Sequence, residues 1–445
     1  MIALRWYPPQ IRALRRAAML SQQEFAKHLG VTRRTVIFWE NNRTTTPNQA
    51  SRRLLQRMLE GSDEQVRSRF EAMLKDPMVA EGYIPIPAAV GFEGPDRREF
   101  LVALAGALMG SAVQLSRWHV TLPATSSPLP AQIGASDVTR LRMTADQIRD
   151  LDSRFGGGAA VDPSLGALSR GAAMLPRCRN EDVLRQLYVA LADLSNIVAW
   201  AHHDAGQQRQ ARLHLAQGVR WASEAATAEA YSLCADLLFG LARVELHERE
   251  PDAALEMVQL GQIAAAKAAD TAATAQLHAT AAWAYAHKGA DRLMRDSLAR
   301  AEHEMALAPM PREPWMQVFY TSGDYVGHQA LVHGVLAANS TDPRIAMNSA
   351  ARAVELTTIA RGESGPDRPA RSKLFDDIVA ATNHFRVDDP ATAIPITERA
   401  IAGLGTIATQ RGIDRLPELI AAARPHAADS GVIDLIEQVE QLVTA

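Results

Sequence analysis

The sequence predicts an all-α protein, a small N-terminal head followed by a long helical array, and three observations carry that reading. Alanine recurs throughout while aromatic residues make up only 5% of the 445-residue chain, a composition that suits close helix packing and gives strands little to build on. No run alternates apolar with polar β-branched residues as a half-buried strand would. A unit of amphipathic helix, short polar turn and second amphipathic helix returns repeatedly after Asp137.

A chain of this length exceeds one compact core. Breakers divide it: Ile84 to Pro95 is rich in proline and glycine, and a second such stretch runs from Pro123 to Gly134. We therefore expect a head over 1–76, a linker over 77–136 carrying a buried connecting helix at 96–120, and a repeat domain over 137–445. Charge follows the same division. Residues 1–60 hold eleven Lys/Arg against three Asp/Glu, a balance of +8, while the remainder holds 36 against 47, or −11. A basic head on an acidic body implies a polyanionic partner for the head alone.

The head reads as short helices over residues 8–60 with one more over 62–75. Ser21 stands where a helix cap is wanted, with Phe25, Ala26 and Leu29 forming the apolar face behind it. Gly30 follows at the position of a left-handed turn, Val31 packs into that turn, and Thr32 caps a second helix whose inner side is Val36 and Trp39. Ile11, Leu14, Leu54 and Leu55 complete the small core. At 100° per residue, Arg33, Arg34, Ile37, Phe38 and Asn41 fall on the opposite arc and face outward. Two arginines opening an exposed helix suit the major groove, where each guanidinium can grip guanine and contribute about 1–3 kcal/mol of base discrimination.

In this segment Leu14-Arg15, Ser21-Gln22, Phe25-Ala26, Leu29 to Thr32, Val36, Trp39 to Asn41, Arg43 and Pro47 agree in register. The pattern resembles the phage-repressor (xenobiotic-response-element) helix-turn-helix family, over about residues 8–60. The family often has glycine where this chain has Asn42, which also tolerates the left-handed conformation. The resemblance implies a five-helix DNA-binding domain in which Gln22, Thr32, Asn41 and Arg43 contact phosphates, beside the outward-facing Arg33, Arg34, Ile37 and Phe38, of which Phe38 would reach a thymine methyl or the sugar edge. It also implies an internal pairing of Arg15 with Glu40. One head offers few contacts, so a homodimer on a double-stranded operator with two half-sites is expected.

In the body the expected pairs are 184–201 with 209–225, 228–247 with 253–269, and 271–287 with 293–307. These are followed by 315–336 with 342–360, 371–385 with 392–409, and a closing cap of 411–423 and 430–443. Corresponding helices are spaced 40 to 44 residues apart. Ala211 and Ala254 would let the second helix of a pair approach the first closely. This array resembles the tetratricopeptide superfamily with each helix lengthened beyond the usual repeat of about 34 residues, and implies an α-solenoid of helical hairpins. Of the repeat aromatics Trp200, Trp221, Trp283, Tyr285, Trp315, Phe319, Tyr320 and Tyr325, most are expected in the core and a few along the inner groove. Asn196, Arg243, His247 and Asn383 are candidate groove residues for a peptide backbone or an acidic ligand.

Other chemistry finds no footing. Cys178 and Cys234 form no disulfide framework and read as core fillers in a reducing, cytoplasmic (nucleoid-associated) protein. Arg97-Arg98 before an apolar run imitates an export signal, but it lies inside the chain and is short for a ~30 Å bilayer core, so no membrane association is expected. His119, His202 and His203 lack partners at metal-ligand spacing; Asp376-Asp377 and Asp388-Asp389 read as solvated charges. No metal, no cofactor and no enzymatic activity are expected. The functional expectation is a transcription regulator whose body senses a peptide, small molecule or protein. The alternative is a helical scaffold or adaptor with non-specific or no DNA binding.

Overall fold

The computed structural model describes residues 8–33, 35–36, 39, 49–62, 64–74, 122, 128–309, 314–317, 321–362, 368–407 and 409–444. Two compact units make up the chain, residues 1–91 and 92–445. Every regular element among the described residues is helical, and their one β contact is an isolated bridge between Ile133 and Cys178. The expected connecting helix at 96–120 lies outside the described residues.

In the first unit, helices Pro8–Ala17, Gln22–Leu29, Gln49–Glu60 and Glu64–Leu74 gather round one core. Ile11, Leu14, Phe25, Val36 and Leu55 are fully excluded from water and Trp39 is 5% exposed, whereas Val31 and Leu54 are only partly buried. Phe70, from the helix that follows the motif, adds the largest side chain that pattern reading did not place in this core.

In the second unit the helices pair in antiparallel succession: Glu181–Asp204 with Gln208–Ala225, Ala228–His247 with Pro251–Ala268, and Thr271–His287 with Asp291–Leu307. Ser322–Asn339 then pairs with Pro343–Gly362, and Ala370–Arg386 with Pro390–Leu404. Leu416–Ala423 and Ser430–Thr444 cover the end. Ahead of all these lies a pair that the repeat pattern did not single out, Ala135–Phe155 and Gly157–Ala172.

The turns explain the regularity. Within a hairpin the chain places one residue in the left-handed region, Gly206 (φ 76°), Arg249 (φ 61°), Gly289 (φ 65°) or Asp388 (φ 62°). The next amide then bonds back over the turn: Gln207 to His202, Glu250 to Glu245, Ala290 to Tyr285 and Asp389 to His384. These bonds satisfy carbonyls that a helix end leaves open. Between hairpins an alanine takes that conformation, Ala226 (φ 50°) or Ala269 (φ 52°), followed by a capping Thr227 or Asp270. Close packing completes the joint: the Cα of Gly218 faces Leu237 and that of Gly240 faces Leu215, each leaving no room for a Cβ.

Two expected helices are broken. The segment 315–336 divides because Thr321 has extended backbone and caps a new helix, its hydroxyl accepting from the Asp324 amide. The segment 411–423 divides into Gln410–Ile413 and Leu416–Ala423 because Pro417, at the start of the second piece, offers no amide to a continuous helix. Asp376 and Asp377 are corrected also: they are 5% and 6% exposed and salt-bridged to Arg368 and Arg399, not solvated. Of the cysteines, Cys234 is a core residue but Cys178 is only half-buried.

The array curls until its ends meet. Asp204, wholly buried, accepts from the Gly157 amide at 2.8 Å, from Arg371 at 3.0 Å, and from Thr409 and Arg411 at 2.8 Å. Arg371 also holds Asp152 through both its terminal nitrogens. Burial alone would raise the Asp204 pKa, but Arg411 and Arg371 overcome it and hold the carboxyl well below the usual range. One carboxylate thus ties residues more than 200 positions apart.

Candidate functional site

In the head, a capping box opens the helix before the turn: the Glu24 amide donates to the Ser21 hydroxyl, and Glu24 Oε2 accepts from the Ser21 amide at 2.8 Å. Gly30 stands at φ 67°, and the Val31 amide bonds to Ala26 at 3.0 Å, which closes the turn. The Thr32 hydroxyl then accepts from the Thr35 amide at 3.1 Å and so starts the next helix. Val36 and Trp39 are buried on its inner side while Arg33 is exposed. Arg15 donates to the Leu20 carbonyl at 3.0 Å, bracing the first turn. Gln22 is half-buried and Thr32 exposed. Arg34, Ile37, Phe38, Glu40, Asn41 and Arg43 lie outside the described residues.

In the second unit the curled array surrounds an open-mouthed cavity of about 170 Å³. Asn196, Asp236 and Gln276 sit at the same position in the first helices of three successive hairpins, 40 residues apart, and all three line it. The Asn196 amide donates to Asp236 at 2.6 Å, and Gln276 donates to the same carboxylate. Burial raises the Asp236 pKa to about 7, although these two hydrogen bonds oppose the shift. Both amide carbonyl oxygens remain buried without a hydrogen-bond partner.

Arginines line the cavity as well. Arg149 is paired with Asp193 and Asp146, Arg368 with Asp324 and Asp376, and Arg371 with Asp152 and Asp204. Arg243 instead lies 4.6 Å from the Trp283 ring centre and donates to His328 Nδ1 at 3.0 Å. His328 Nε2 donates to the Ala279 carbonyl, so the ring is neutral, its pKa lowered to about 3 by burial and by Arg243. Arg411 and Arg415 stand 5.3 and 4.3 Å from the centre of Phe375. Burial first, then Arg411 and Arg415, push the Arg243 pKa well down. Burial and Arg411 bring that of Arg415 to about 10.

Of the groove residues proposed from sequence, Asn196 and Arg243 line this cavity together. His247 is outside it, its Nε2 2.7 Å from Asp414 Oδ2. Asn383 lines a separate, smaller pocket, donating to the Val379 carbonyl and accepting from Arg386. Asp236, Gln276, Arg411 and Arg415 were not foreseen; the recurrence of polar residues at an interval of 40 marks the first two, whereas the arginines follow a break in the helical pattern. The aromatics divide likewise: Trp221 is repeat core, while Trp200, Trp315 and Phe375 border the cavity. Among the described residues there is no cluster of three metal-ligating side chains, and no helix is long and apolar enough to cross a membrane.

The helix-turn-helix family model matches residues 11–56, which contain the Ser21–Trp39 module. Comparison with the curated proteins and with the solved structures found no match.

Proposed function

We propose that this chain is a sequence-specific transcription regulator that binds operator DNA through its head, while the body, a tetratricopeptide-like array, dimerises and binds a ligand or partner. The helix-turn-helix match supports DNA binding by a regulator. The observation that carries the finer reading is the helix opened by Thr32, with Val36 and Trp39 buried beneath it and Arg33 exposed, in a segment of charge +8. Arg33, Arg34, Ile37 and Phe38 read base edges; Gln22, Thr32, Asn41 and Arg43 hold phosphates.

Ligand occupancy of the body shifts the spacing of two heads in the dimer, and so the affinity for two half-sites. A gel shift and footprint on the chain's own promoter test the reading. A defined footprint that disappears in the double variant Arg33→Ala/Arg34→Ala, with the helical circular dichroism unchanged, supports it. A footprint unaffected by that double variant removes these arginines from the reading helix.

A further inference from the structure

We infer that the cavity of the second unit is a binding site for a small organic anion, a phosphate or carboxylate carrying further N–H or O–H donors, seated between Arg243, Arg415 and the Asn196–Gln276 pair. The inference deepens the proposed ligand response by naming the ligand's chemistry and its seat. Two sets of groups around one cavity carry it, each incomplete without a guest.

The first set is cationic. Arg243 and Arg415 border the cavity and make no salt bridge among the described residues, in contrast to Arg149, Arg368, Arg371 and Arg411 on the same walls. Their ring contacts, with Trp283 and Phe375, disperse charge but do not cancel it. Burial, then Arg411 and Arg415, lower the affinity of Arg243 for its proton, and burial and Arg411 do the same to Arg415. Two forked donors facing one space match the oxygens of a carboxylate or phosphate, and the desolvated setting strengthens such a pair.

The second set accepts hydrogen bonds. Asn196 is 4% exposed and Gln276 5%, and each spends its amide N–H on Asp236. Asn196 and Gln276 line the cavity, and their carbonyl oxygens Oδ1 and Oε1 are left buried with no partner. An unsatisfied buried carbonyl is costly, so two of them, on the helices either side of the one that carries Asp236, call for donors supplied by a bound molecule. Simple anions satisfy the arginines alone; an anion bearing hydroxyl, amine or amide groups satisfies both sets. Trp200 and Phe375 provide flat apolar surface between.

Calorimetric titration of the full chain with inorganic phosphate and with acetate, at ionic strength matched by sodium chloride, tests the site. We expect saturable binding of at least one of them below about 10 mM, ten times a 1 mM dissociation constant. Binding weakens at least about tenfold in Arg243→Gln and Arg415→Gln, and Arg243→Lys, which keeps the charge, recovers part of it. Preference for phosphate or for acetate identifies which anion the ligand carries. Neither ion binding below that limit, or equal binding by the folded Arg243→Gln/Arg415→Gln double variant, overturns the inference. Gel shifts on the same preparations separate the claims: DNA binding without anion binding defeats this site alone, and anion binding without DNA binding defeats the regulator reading alone.

Discussion

At the scale of single residues, burial decides which polar groups matter. Trp39 anchors the helix opened by Thr32 in a core of few large side chains. Trp39→Ala should cost about 3–5 kcal/mol, enough to unfold a domain of this size; loss of amide-exchange protection over the head, with protection of the body retained, checks it. Asp236 makes a pH prediction whose sign is fixed by its raised pKa. A carboxyl that ionises at 3.8 when exposed and near 7 when folded binds more protons in the native state across that interval. Stability conferred by the protonated form is therefore lost as pH rises from about 4 to 7. Asp236→Asn, which keeps the shape without the charge, should flatten that decline and be the more stable form at pH 8, as urea titrations at several pH values would read. A steeper decline in the variant contradicts the assignment. Residues such as Asp236 and Gln276 are nearly invisible in isolation because acids and amides usually face water; only their 40-residue register with Asn196 marks them.

At the scale of elements, turn chemistry sets the hairpins. Legibility followed that chemistry closely. Helices bounded by Gly206, Arg249-Glu250-Pro251 and Gly289 emerged from the sequence within a few residues, because the left-handed turn and the proline fix their ends. Where a cap lay within an apolar run, at Thr321, or where Pro417 interrupted one, periodicity alone joined two helices into one. The pair 135–172 was hidden by its glycine content and by Pro163 inside a helix. Two substitutions measure the turn term. Ala269→Gly relieves a left-handed alanine and should stabilise by some tenths of a kcal/mol after the entropy gained by the unfolded chain. Gly289→Ala adds a Cβ 2.9 Å from the Asn339 carbonyl at φ 65°, and should destabilise by more than 1 kcal/mol. Thermal melts of the two variants should move in opposite directions; movement in the same direction refutes the common turn design.

At the scale of the whole molecule, the head's module and the body's helical array were legible, but the closure of the array was not. Nothing in local pattern announces that Asp204 meets Arg371 and Arg411, because such pairings depend on the accumulated curvature of many hairpins. The closure is costly to break: Asp204→Asn takes the salt-bridge partner from buried Arg411 and leaves Arg371 with Asp152 alone, and should lose about 3–5 kcal/mol, with the hairpin at 370–404 showing the greatest gain in amide exchange. An unchanged melting midpoint would show that the ends do not depend on this carboxylate. The central claim, that the basic head reads sequence, is tested most directly by anisotropy titration of the full chain. The labelled duplex comes from its own promoter, with a scrambled duplex of equal length beside it and salt varied for both. The account predicts at least about 10³-fold preference for the promoter duplex at physiological salt, with affinity falling steeply as salt rises on both. Equal affinity for the two duplexes, or none for either at low salt, would contradict it.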